Sequence, residues 1–109
     1  MDEQLLYEKI GQLLIDAGPS DAKKIIARAE LFAEGDGGSY EFDYYNKAGD
    51  LNWFDPAGRA VGDLTDLLVQ LRSYFVMNGL CVGGKSWSGC AVTLDVENVK
   101  INIEYKYGD

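Results

Sequence analysis

The sequence predicts an α+β fold: one antiparallel sheet of four to five strands with two helices packed on one face, in the order α-β-β-(β)-α-β-β. Three observations carry that reading. Two segments place apolar residues at helical spacing, three others alternate apolar and polar residues, and short turns rich in glycine and asparagine separate them. Residues 1–109 read as a single domain, because that length matches one ordinary domain and neither a repeat nor a linker interrupts it.

The first helix is expected over residues 3–17. Leu6, Ile10, Leu13, Leu14 and Ala17 fall on one face, Asp2 can cap the start, and Gly18-Pro19 stops it. Residues 23–34 fit two periods. Ile25, Ala27, Ala29, Leu31 and Ala33 alternate with Lys24, Ile26, Arg28, Glu30, Phe32 and Glu34, which is a strand; the alanines favour a helix. The turn signal Gly35-Asp36-Gly37-Gly38 and the strand-like Tyr40-Glu41-Phe42-Asp43-Tyr44-Tyr45 decide for a hairpin, so 23–34 is expected as a strand paired with 40–45. After a turn at residues 46–50, Leu51-Asn52-Trp53-Phe54 reads as a third short strand ended by Asp55-Pro56.

Residues 57–62 read as a loop, and Asp63 as the cap of a second helix whose face is Leu64, Leu67, Leu68, Leu71 and Phe75, closed by Asn78-Gly79. A glycine-rich loop follows over 80–89. Val92-Thr93-Leu94-Asp95-Val96 and residues 99–107 then form a terminal hairpin about a turn at Glu97-Asn98. In its second strand Val99, Ile101, Ile103, Tyr105 and Tyr107 alternate with Lys100, Asn102, Glu104 and Lys106.

Composition narrows the function. The chain has no histidine, which removes Ser-His-Asp and Cys-His catalysis and most catalytic zinc sites. No catalytic residue, cofactor or metal ligand is therefore expected. A net charge of −8, from 18 acids and 10 bases, is the reverse of the basic footprint that nucleic acid requires, and anionic membranes repel it. No apolar run approaches the roughly 20 residues of a membrane-spanning helix. The acidic opening Met-Asp-Glu is unlike a basic secretory leader, so a cytoplasmic protein is expected. The expected partner is a basic protein.

The charge is unevenly placed. Residues 30–66 hold nine acids (Glu30, Glu34, Asp36, Glu41, Asp43, Asp50, Asp55, Asp63 and Asp66) against Lys47 and Arg59, a net −7 from a third of the chain. A solvated acidic face is the plain reading; an acidic docking face is the sharper one. Aromatic residues lie in the same region. Tyr44, Tyr45, Trp53 and Phe54, with Trp87 further on, divide between core and surface. Those at the surface suit contact with a basic protein, aromatics supplying affinity and carboxylates steering the encounter. The candidate contact residues are Glu41, Asp43, Tyr45, Asp50, Trp53, Phe54 and Asp55.

Two other motifs weigh less. Gly79-Leu80-Cys81-Val82-Gly83-Gly84-Lys85-Ser86 matches the phosphate-loop pattern, but that loop works between a strand and a following helix, and here a helix precedes and a strand follows. Cys81 and Cys90 read as small buried fillers, reduced in a cytosol and without an activating base.

The second half carries a resemblance. Leu71-Arg72-Ser73-Tyr74-Phe75-Val76-Met77-Asn78-Gly79, then Trp87, Val92-Thr93-Leu94-Asp95, and Lys100-Ile101-Asn102-Ile103-Glu104-Tyr105-Lys106-Tyr107-Gly108-Asp109 resemble the YezG-like immunity (antitoxin) family. The shared pattern is a helix ending in aromatic-x-x-Asn-Gly, a tryptophan, and a closing hairpin ending in Tyr-x-Tyr plus an acid. The first half is similar in element order. The resemblance implies a small cytoplasmic protein that binds and neutralises a cognate toxin domain, commonly a nuclease of a polymorphic or contact-dependent toxin system, with no catalytic residues of its own. A nuclease is basic to hold its substrate, so an acidic inhibitor is its physical complement. Two other readings stand beside this one: a small carboxylate-dependent enzyme, and an acidic nucleic-acid mimic that inhibits another DNA- or RNA-binding protein.

Overall fold

The computed structural model describes residues 3–31, 38–79 and 87–107. The elements are α1 (Glu3–Ala17), β1 (Ala22–Leu31), β2 (Gly38–Asn46), β3 (Leu51–Trp53), α2 (Gly58–Met77), β4 (Gly89–Asp95) and β5 (Lys100–Lys106). The strands form one antiparallel sheet in the order β3-β2-β1-β4-β5, and both helices cover one face of it, as the expected fold class requires.

Alternation settles the ambiguous segment. Ile25, Ala27, Ala29 and Leu31 are buried while Lys24, Arg28 and Glu30 are exposed, so β1 is a strand, and it is the central one. Helix propensity is a weak prior, and here two neighbouring strands outweigh it by pairing both edges of β1. The expected residues 32–34 lie outside those described, as do Asp2 and residues 35–37; Gly38 already belongs to β2.

Cross-strand register assembles the core in rows. Tyr44, Ile25, Leu94 and Ile101 form one row across β2-β1-β4-β5; Phe42, Ala27, Val92 and Ile103 form the next; Tyr40, Ala29, Cys90 and Tyr105 form the third. The two central alanines keep the middle of the sheet low, and the helices lie over it. Leu6, Ile10 and Leu14 of α1 meet Leu64, Leu68, Leu71 and Phe75 of α2 above these rows. Fully burying each such side chain stabilises the fold by about 1.5–3 kcal/mol. Hydrogen bonds tie each helix to the sheet: the Tyr7 and Tyr105 hydroxyls join α1 to β5, and the Tyr40 hydroxyl meets Thr65 Oγ1 of α2 at 2.5 Å.

The second helix departs from expectation at its start. It begins at Gly58, not at Asp63, and residues 58–62 are helical. Ala57, with φ −57° and ψ 144°, stands at the cap position without a side-chain hydrogen bond. Gly58 and Gly62 suggest a loop, yet their faces are open, and the extra turn lets Val61 pack against the core. That packing offsets roughly 1 kcal/mol of helix cost per glycine. At the other end Gly79 takes φ 68° and donates to the Val76 carbonyl, the stop expected at Asn78-Gly79. Strand β4 also begins earlier than expected, at Gly89. A Cβ there would lie 2.9 Å from the Ala29 carbonyl oxygen, so only glycine lets the two backbones pair so closely. No helix among the described residues is long and apolar enough to cross a membrane.

Candidate protein-interaction surface

Among the described residues nothing packs on the face of the sheet opposite the helices, and register places its residues in rows as well. Leu51, Tyr45, Lys24, Asp95 and Lys100 form one row. Trp53, Asp43, Ile26, Thr93 and Asn102 form the second, and Glu41, Arg28, Ala91 and Glu104 the third. The β3 end of this face is the apolar end. Trp53 is 76% exposed and Leu51 56% exposed, with Tyr45 and Ile26 half-buried beside them.

Local hydrogen bonds hold β3 in place. Asn46 Oδ1 accepts from the Ala48 and Asp50 backbone N–H groups at 2.9 and 3.0 Å, and Gly49 supplies φ 88°, so the turn is tight and Asp50 leads directly into the strand. Asn46 N–H donates to the Asp50 carbonyl at 3.0 Å and Phe54 N–H to the Phe42 carbonyl at 3.1 Å, so pairing with β2 runs from Asp50 to Phe54. Bonded and non-bonded pairs alternate in an antiparallel ladder. Asn52 therefore turns its backbone groups inward to Tyr44, and Leu51 and Trp53 turn theirs outward, to an edge that no other described strand occupies.

The seven candidate residues divide on this frame. Glu41, Asp43, Tyr45 and Trp53 share the open face, Asp43 lying opposite Trp53. Asp50 and Asp55 are exposed at the two ends of β3. Phe54 points the other way: its ring packs 5.6 Å from that of Phe42 and 5.8 Å from that of Tyr44, on the helix side. Trp87, 1% exposed, is core, against Phe75 and Tyr105.

Pairing modifies the acidic character. Arg28 Nη1 lies 2.5 Å from Asp43 Oδ2, and this hydrogen bond raises the affinity of the guanidinium for its proton above the usual. Lys106 Nζ approaches Glu30 Oε1 at 3.9 Å across Gly89, which has no side chain to intervene. Lys24 Nζ sits 5.9 Å from the centre of the Tyr45 ring. The middle of the open face is thus a mixture of both signs, and among the described residues Asp50 and Asp55 make no ion pair. Leu51, Ile26 and the neutralising Arg28 do not stand out in the sequence. The signal for Leu51 was its spacing of two from Trp53, which puts both on one face.

Elsewhere, Cys90 is buried at 6% exposure, and burial pushes its thiol up to about 12. Cys81, Glu34, Asp36 and residues 80–86 of the phosphate-loop match lie outside the described residues; α2 precedes that match and β4 follows it. Among the described residues no three acids or thiols group as metal ligands would. No protein-family model matches the chain, and no curated protein does either.

Proposed function

We propose that this chain is an immunity protein, an antitoxin that binds a cognate basic toxin domain in the bacterial cytoplasm and neutralises it by stoichiometric contact. The toxin is a nuclease of a contact-dependent or polymorphic system. One observation carries the reading: Trp53, 76% exposed on an edge strand, with Asp50 and Asp55 at the two ends of that strand making no ion pair among the described residues, and Tyr45, Asp43 and Glu41 on the same face. Leu51 and Trp53 together expose apolar surface on one face of that strand, and tryptophan is among the residue types enriched at binding hot spots. The −8 charge attracts a basic partner over distance and speeds capture. The resemblance to YezG-like immunity proteins supports the same reading.

On this proposal a basic toxin domain is encoded beside this gene, and the test titrates that domain with this chain. Nuclease activity should fall linearly and vanish at equimolar inhibitor, and cells making the toxin should grow when this chain is co-expressed. Undiminished nuclease activity at a several-fold excess of the chain overturns the proposal.

A further inference from the structure

We propose that the outer edge of β3, which no other described strand occupies, accepts an extended basic segment of the partner as an added strand. The inference rests on the proposed function for the bearer of that segment, and its chemistry comes from the edge itself. Leu51 and Trp53 turn their backbone N–H and C=O groups outward, and all three residues of β3 are exposed. Such a row of unpaired backbone groups is a template for another strand.

The two edges of the sheet differ in how they treat that hazard. β5 carries Lys100, Glu104 and Lys106, charges of the kind that guard an edge against pairing. Leu51-Asn52-Trp53 has no charge, no proline and no bulge. It offers two apolar side chains on the open face, where alternate residues of an added strand would lie against them.

Charge selects the occupant. Asp50 and Asp55 bracket β3, separated by about 16 Å of extended chain. Basic residues five apart on an added strand would reach both. A second copy of this chain is the wrong occupant, because it would bring −8 to −8 and a second pair of aspartates to the same edge.

The probe is a capped synthetic peptide, Lys-Val-Thr-Val-Thr-Lys, added to the ¹⁵N-labelled full chain. At a peptide concentration near ten times its Kd, amide exchange at Leu51 and Trp53 should slow about tenfold. Asn52, already bonded to β2, should change less than about twofold, as should the amides of β5. Replacing both lysines with glutamate should remove the effect, and so should methylating alternate backbone nitrogens of the peptide, a change that leaves the protein untouched. Leu51→Pro deletes an outward N–H while sparing the β2 ladder and should abolish binding. Protection at β5 or on the helices instead, equal binding of the N-methylated peptide, or no binding at millimolar peptide overturns the proposal. So does protection of Leu51 and Trp53 that grows with protein concentration alone, which would mark self-pairing. The proposed function fails separately: there the peptide binds β3, and the gene's neighbour encodes no toxin or a toxin that keeps its activity.

Discussion

Trp53 and Trp87 sit at opposite ends of the same sheet and have opposite surroundings. Trp87 is 1% exposed, with the Phe75 ring edge-on at 6.4 Å and the Tyr105 ring at 5.3 Å. Trp53 is 76% exposed, although Tyr40, Phe42, Tyr44 and Phe54 form an aromatic cluster on the other side of the same strands. The Phe54 ring joins that cluster and the preceding Trp53 does not, because successive side chains of a strand point to opposite faces. The comparison teaches that aromatic content alone does not distinguish anchor from core here. Position on the strand does, and so does which face the helices cover.

Changing the two tryptophans should separate folding from binding. Trp87→Ala removes a buried ring and leaves a cavity, so stability should fall by about 3–5 kcal/mol, read by urea unfolding. Trp53→Ala should change stability by no more than about 0.5 kcal/mol. In surface-plasmon kinetics with the proposed toxin partner, the same substitution should speed dissociation by roughly 30-fold or more, about 2 kcal/mol, with association little changed. If Trp53→Ala unfolds the chain while Trp87→Ala does not, the anchor is Trp87 and the core residue Trp53.

Cys90 tests the buried end with a smaller change. A serine there places a hydroxyl in an apolar row, costing about 1–3 kcal/mol if it finds no partner. Under the proposed function the Cys81→Ser/Cys90→Ser double variant should still neutralise the toxin. A folded double variant that no longer protects would show that a thiol takes part in the function.

Tyr7, Tyr40 and Tyr105 are each held above the usual phenol range, chiefly by burial, and Cys90 is pushed up to about 12 by the same cause. In the unfolded chain these groups lose protons first, from roughly pH 9 to 10 upward. The folded state then holds more protons than the unfolded one, so stability is complete below that range and is lost as pH rises through it. Melting temperature should be level from about pH 6 to 8 and fall beyond about pH 9. Tyr105→Phe should cost about 1 kcal/mol at neutral pH through its lost bond to Tyr7, and should make the alkaline fall shallower. An unchanged alkaline slope in that variant would remove the tyrosine pair from the explanation.

The smallest effect belongs to charge at the exposed end. Converting Asp43, Asp50 and Asp55 together to asparagine should slow association several-fold at low salt and flatten its salt dependence, with screening over about 8–10 Å near physiological salt. Wild-type rates and salt slope in that variant would make the acidic cluster a matter of solvation. They would move the docking face to the terminal hairpin or the 80–89 stretch.

From the sequence came the element types, their order and the two hairpins, β1 with β2 and β4 with β5, because period, turn residues and helix stops are local signals. Alternation over residues 23–31 outweighed alanine propensity, and Leu51-Asn52-Trp53 was legible as a strand from its flanking turn and Asp55-Pro56. The start of α2 was not legible: Gly58 and Gly62 carry a loop signal, and packing of Val61 against the core makes that turn worthwhile. The tertiary structure alone decided that β1 is central and that β4 pairs on its far side, a contact between residues more than 50 positions apart. It also decided that Arg28 meets Asp43, so part of the negative charge between residues 30 and 66 is cancelled from outside that segment. And it separated Trp53 from Trp87. A tryptophan's composition is the same in both places; burial depends on which face the helices cover and which strand ends the sheet, and both are properties of the assembled chain.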